Sequence, residues 1–193
     1  MSEDLIYFRD GKLVAKSGDA RVYKMSGHLF LEIGPGHTLW ALETELQDYM
    51  DQLMDFPQGD CLEIGLGLGV ASRYLLTFPK VKSLTTVEIN KDVIDVHSKI
   101  KDSDRGYTLE YREEDHTILN SNGIEYAYLT KKKFDFIFID CYDRIDEDTL
   151  PLIADMVLAC KHTLKPNGRM MGWVDDGTSA EHYDIFQHIF DLS

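Results

Sequence analysis

The 193-residue chain carries 34 acidic against 20 basic residues, a formal net charge of -14, with 44% hydrophobic residues. That length buries one sizeable core but is short for two domains, and so acidic a surface repels phosphate backbones, which argues against nucleic acid as a partner. The apolar runs fall far short of a bilayer span and the N-terminal MSEDLIYFRDGK is charged, with no signal-like segment, so a cytoplasmic protein with no membrane partner is expected.

Residues 21–40 alternate and turn at SGH and GPGH, which predicts short antiparallel strands; residues 43–54 show the pattern of an amphipathic helix. Residues 1–58 thus read as a β-rich extension with a leading helix, ahead of a domain over 59–193. From Gly59 onward short apolar runs alternate with helical periodicity, predicting strands at 60–65, 83–89, 107–112, 134–141 and 169–174. Strands alternating with helices in this way build an α/β fold, a doubly wound, mostly parallel, Rossmann-like sheet with helices on both faces.

Asn90, directly after a strand, is placed to cap a helix that turns Val93, Ile94, His97 and Ile100 inward, with His97 as a core histidine. Over 148–165, Ile153, Met156, Val157, Cys160 and Leu164 share one helical face, and KPNG then ends the helix. After Asp176 only the helical SAEHYDIFQHIF remains, so the edge of the sheet is expected to lie open, and a second copy of the chain could cover it. Cys61, Cys141 and Cys160, odd in number and widely spaced, read as reduced thiols, and Lys131, Lys132 and Lys133 as a solvated loop.

The stretch DCLEIGLGLGVAS puts Gly65, Gly67 and Gly69 in the turn that leaves the first of these strands. Glycine there permits positive φ and brings backbone close to a ligand. A dinucleotide fingerprint requires G-x-G-x-x-G, and Val70 and Ser72 occupy its final position in the two possible frames; no G-K-[ST] follows, so a P-loop is excluded as well. Glu63 precedes the turn and suits a ligand with a cationic end. Glu88, at the tip of the second strand, lies where an acidic residue accepts hydrogen bonds from a ribose diol. A nucleoside bearing an ammonium group fits both carboxylates.

On these residues the region 60–176 resembles the class I S-adenosylmethionine-dependent methyltransferases, including their spermidine-synthase-like relatives. The resemblance implies that LEIGLGLG is the first motif, with Glu63 near the methionine ammonium, and that VEIN is the second, with Glu88 on the ribose and Ile89 against the adenine. It implies further that REEDH supplies Asp115 to the adenine amino group with Glu114 lining the same pocket, and that FDFIFIDCYD sets Asp140 beside the transferring group. The expected activity is methyl transfer from S-adenosylmethionine to a small acceptor, with Asp140 and Asp143 at the chemistry. Two alternatives stand beside it: aminopropyl transfer from decarboxylated S-adenosylmethionine, or a non-catalytic nucleoside-binding module.

Asp140 and Asp143 reproduce the D-x-x-D pair of the spermidine synthases, which holds a cationic amine. Against that family, Leu68 stands where its glycine motif carries aspartate, and Arg144 where proline usually follows the second aspartate. The family normally completes its sheet with two further strands, which are not visible here. FDFIFIDCYD and the later GWVDDG resemble the metal ligands of catechol-type O-methyltransferases, making Asp140, Asp175 and Asp176 candidates for magnesium; adjacent aspartates are commoner as a turn or helix cap, and no metal is assigned.

Overall fold

The computed structural model describes residues 11–34 and 38–191; the first ten residues and residues 35–37 of the GPGH turn lie outside the described residues. The N-terminal part is a four-stranded antiparallel meander of β1 (Lys12–Ser17), β2 (Ala20–Met25), β3 (His28–Ile33) and β4 (Thr38–Leu42). Ser26 and Gly27 form a two-residue hairpin turn at φ 51° and 91°, which matches the right-handed twist of the strands. A 3-10 turn at Glu43–Glu45 leads into α1 (Leu46–Leu53), which buries Tyr49 and Leu53.

The second sheet has five parallel strands in the order β7-β6-β5-β8-β9: β5 (Gly59–Ile64), β6 (Val81–Glu88), β7 (His116–Asn120), β8 (Phe134–Ile139) and β9 (Leu164–Gly172). The connecting helices are α2 (Val70–Leu75), α3 (Lys91–His97), α4 (Gly123–Leu129) and α5 (Leu150–Lys161), and α6 (Ala180–Asp191) follows the last strand. The chain order reverses between β5 and β8, so a crevice opens beyond their carboxyl ends, where open α/β sheets bind ligands. No further strand follows β9 among the described residues.

Successive side chains of β5 point to opposite faces. Glu63 meets Ser72 of α2, while Ile64 packs where Gly123 of α4 and Met156 of α5 converge, so helices cover both faces as expected. At the opposite end of the strands, Lys165 Nζ bridges Asp60 (2.9 Å) and Asp135 (2.7 Å). The meander docks on α3 through Asp19 N donating to Asp92 (3.3 Å) and Lys99 Nζ donating to the Lys16 carbonyl (2.8 Å).

Three local expectations are corrected. The third strand is 116–120 and not 107–112; the alternation in YTLEYR instead packs Tyr107 and Tyr111 onto the core from a segment with no partner strand. The long helix ends at Lys161, and KPNG lies within β9, where the pairing shifts between Phe134 and Phe136 and Asn167 takes φ 64°. Ile153, Met156, Val157 and Cys160 form the buried helical face, whereas Leu164 opens the strand. The Asn90 cap is formed, its side chain accepting from Asp92 N at 2.9 Å.

Phe136 is fully buried at the centre of β8. Phe136→Ala is expected to destabilise the chain by about 3–5 kcal/mol in urea denaturation, through lost transfer energy and the cavity left behind.

Candidate active site

The crevice at the switch point is a cleft of about 180 Å³. Its floor is the turn after β5, with Gly65, Leu66, Gly67 and Leu68; its walls come from the tips of β6 and β8, the start of α4, and the N-terminal meander with α1. Gly65, at φ 101°, is forced by packing: a Cβ there would lie 1.9 Å from the Asp140 carbonyl oxygen. Asp140 N in turn donates to the Ile64 carbonyl at 2.8 Å, so the exits of β5 and β8 run side by side.

Four carboxyl-bearing residues, Glu45, Glu88, Asp140 and Asp143, line the cleft, and no Lys, Arg or His does so among the described residues. Glu88 orders the turn, its two oxygens accepting from Leu66 N (2.9 Å) and Asn90 N (2.7 Å). Tyr49, from α1, donates its hydroxyl to Asp140 Oδ2 at 2.8 Å, and Glu45 Oε2 lies 3.5 Å from the same hydroxyl. Aromatic rings close the rest: Trp40 at the mouth, and Trp173, whose buried Nε1 has no hydrogen-bond partner, with Tyr142, which donates to the Trp173 carbonyl at 2.7 Å.

Crowding these acids below the surface favours their neutral forms. Burial, then Glu88, pushes the Asp140 carboxyl up to about 7 against the opposing Tyr49 hydrogen bond. Burial, then Asp140, raises Glu45 to about 8, and burial with both carboxyls holds the Tyr49 hydroxyl well above its ordinary value. The thiols of Cys61, Cys141 and Cys160 are pushed up to about 12, chiefly by burial, which removes thiolate chemistry at neutral pH.

Of the residues expected at the site, Gly65, Gly67, Glu88, Ile89, Asp140 and Asp143 line the cleft. Glu63 does not: it faces α2, accepting from Ser72 and from Thr86 Oγ1 (2.5 Å), and burial raises it to about 8. Gly69 is turned the other way, and a Cβ there would lie 2.3 Å from His97 Nε2. Glu114 and Asp115 sit in a 3-10 turn before β7, at the end of the sheet away from the cleft; Asp115 pairs with Arg112 (2.8 Å), which also holds the Val81 carbonyl (2.7 Å). Misplacing the third strand carried these two residues to the wrong end.

The positions that follow the true third strand are Asn122, Gly123 and Ile124, which line the cleft and were not anticipated. Their signal is SNG, whose Asn122 caps α4 by accepting from Glu125 N at 3.1 Å. Glu45 and Tyr49, also missed, stand four residues apart on the predicted helix. The magnesium candidates do not converge: Asp175 closes a turn, accepting from Gly177 N (2.8 Å), Thr178 Oγ1 (2.5 Å) and Ile145 N (3.1 Å). Among the described residues no group of three or more His, Cys, Asp or Glu could hold a metal ion.

These ionisations set a pH dependence for stability. Glu45, Glu63 and Asp140 keep protons in the folded chain up to about 8, 8 and 7, against ordinary values of 4.5, 4.5 and 3.8, so stability falls as pH rises through that window. Burial lowers His97 and His116 to about 3 and 4 from 6.5, so their contribution rises with pH until about 6.5. Above about pH 6.5 only the carboxyls act, and urea denaturation is expected to show stability falling from there to about pH 8. Glu63→Gln should flatten that fall; a fall of unchanged slope would show that Glu63 is ionised in the folded chain.

Residues 53–187 match the Spermine/spermidine synthase domain family. The chain is 28% identical over 111 residues to the polyamine aminopropyltransferase of Buchnera aphidicola, covering 58% of this chain and 38% of that protein. It is 26% identical over 133 residues to that of Prochlorococcus marinus, covering 68% and 44%. The chain thus spans about two fifths of the length of these curated relatives. The fold is similar to a spermidine synthase crystal structure from Thermotoga maritima, with TM-score 0.69 and 19% identity over 94% of this chain and 64% of that one. Among the described residues no helix is long and apolar enough to cross a membrane. The expected methyltransferase is corrected by these findings, since the matching family and both curated relatives belong to aminopropyl transfer. With its parallel sheet, its acidic cleft at the switch point and 53–187 covered by one family, the chain belongs to the spermine/spermidine synthase domain family.

Proposed function

We propose that the chain transfers an aminopropyl group from decarboxylated S-adenosylmethionine to a small amine, in the cleft lined by Glu45, Glu88, Asp140 and Asp143. The observation that carries this reading is the sign of the lining: four carboxyl groups and no basic side chain among the described residues. Such a site attracts a sulfonium with a terminal ammonium and an amine acceptor, and it disfavours a donor that brings a carboxylate of its own. That selects the decarboxylated donor over S-adenosylmethionine itself.

Glu88, already fixed by two backbone donors, has lone pairs left for a ribose diol, and Ile89, 67% exposed at the rim, offers an apolar face to a purine. The partnerless Trp173 Nε1 is a donor for an acceptor atom entering the cleft. Asp140 and Asp143 face the acceptor amine. Its nitrogen must lose a proton to attack the methylene carbon next to sulfur; as the new C–N bond forms, the C–S bond breaks and a neutral thioether leaves. Asp140, poised near 7 and oriented by Tyr49, is suited to take that proton. Leu68, buried in the turn, supplies no carboxylate where the family carries one, and Glu45 is the acid from outside the motif that adds a carboxyl group to the same cleft.

The test is single-turnover transfer from decarboxylated S-adenosylmethionine to a linear diamine such as putrescine, followed by mass spectrometry, alongside calorimetric binding of the donor. Asp140→Asn is expected to slow transfer by about 10²–10⁴ while donor binding persists. Donor binding without transfer in the wild-type chain would reduce the reading to a nucleoside-binding module, and tighter binding of S-adenosylmethionine than of its decarboxylated form would overturn the electrostatic argument.

Tyr49→Phe removes the donor that holds the Asp140 carboxyl down. The acidic limb of the pH–rate profile is expected to move to higher pH in this variant, by about one unit.

A further inference from the structure

A second cleft, of about 580 Å³, opens on the other side of the glycine turn, between α2, α3 and β7. We propose that it binds a small organic oxyanion, a carboxylate or a phosphate ester, held by the guanidinium groups of Arg73 and Arg105.

Both arginines line this cleft and both are more than nine-tenths buried, at 6% and 8% exposure. Buried guanidinium groups are normally saturated with acceptors, because an unpaired donor loses its water and gains nothing in return. Here the Nε of Arg73 and the Nε of Arg105 each lack any partner. Two buried guanidinium groups that line one cavity, each with a donor left unpartnered, are an arrangement that a planar or tetrahedral oxyanion satisfies.

The carboxylates nearby pair with the Nη atoms and leave both Nε donors unpartnered. Asp102 takes Arg73 Nη2 but is 78% exposed on its side chain, and Glu113 stands exposed at the rim. Glu43 forms a long buried ion pair with Arg105, Oε1 to Nη1 at 3.8 Å, without a hydrogen bond; its Oε2 is occupied by Leu29 N (2.9 Å) and Gly106 N (2.8 Å), and Arg105 Nη1 donates to the Tyr107 hydroxyl at 3.3 Å. His97 and His116 also line the cleft, and burial keeps both neutral at physiological pH, so they bring no charge of either sign. His116 Nε2 is engaged with Thr86 Oγ1 at 2.7 Å.

The rest of the lining gives the ligand a body. Ile100, Ile118 and the Tyr111 ring, over which the Arg73 guanidinium sits at 4.2 Å, form an apolar wall. An aromatic or branched acid fits this combination better than a bare inorganic ion. In a chain of net charge -14, only a site built locally from buried cations holds an anion.

The experiment is calorimetric titration of the purified chain, at fixed ionic strength, with benzoate, phenyl phosphate and inorganic phosphate. Saturable binding of benzoate or phenyl phosphate, tighter than inorganic phosphate and with Kd below about 1 mM, is expected, and the preferred arm identifies the carboxylate or the phosphate source. Arg105→Gln should weaken it about tenfold or more. Because a buried substitution can unfold the chain, Ser98→Trp, which obstructs the cleft from an exposed position, is measured in parallel with circular dichroism on both variants. Loss of binding in either folded variant supports the site. Absence of saturable binding, or wild-type affinity in both variants, overturns it.

Discussion

The close approach of two backbones at Gly65 is the constraint on which the rest of the site depends. With a Cβ position only 1.9 Å from the Asp140 carbonyl oxygen, no other residue lets β5 and β8 leave the sheet in contact. That contact sets Asp140 at the bottom of the crevice, and Gly65 N donating to the Val87 carbonyl at 2.9 Å brings in the tip of β6 with Glu88. The glycines that look like room for a ligand are here first of all room for the protein itself: Gly65 for Asp140 and Gly69 for His97. Ligand access is the consequence of where those contacts put the turn.

From that scaffold the chemistry is assembled by elements distant in sequence. Asp140 comes from the sheet, but its hydroxyl partner Tyr49, 91 residues away, and its acidic neighbour Glu45 come from α1 and the turn before it. Gln52 fixes α1 to the end of β9 by a reciprocal pair with Val174, donating at 2.8 Å and accepting at 3.0 Å. The N-terminal region is therefore part of the site's wall. Burying acids this closely opposes stability at neutral pH.

The sheet was legible wherever strands are buried on both faces. LEIG, LTTVE and FDFIFI read as strands because central parallel strands are continuous apolar runs. The edge strand β7, HTILN, is covered unevenly and gives a weak signal, while YTLEYR alternates well yet spends its alternation on Arg105 and Arg73. One misplaced strand then displaced Glu114 and Asp115 and hid Asn122. Glu63 lies outside the cleft lining for a different reason: a carboxylate two residues before a turn can face either side of a strand, and the two-residue period directs it toward α2. Glu88 and Asp140 reach the cleft because the tip of a strand leaves a side chain little choice of direction, and Asp143 lines it from the loop that follows β8.

The protons held on Glu45 and Asp140 tie the cleft to the composition of the solution around it. A cation that enters favours the ionised carboxylates, so its binding is coupled to release of protons still held there. Association there is then an exchange of one cation for another, and apparent affinity rises with pH by up to about tenfold per unit for each proton displaced. The heat measured for such an event belongs partly to the buffer that receives the proton, and it differs between phosphate and Tris though the contacts are the same.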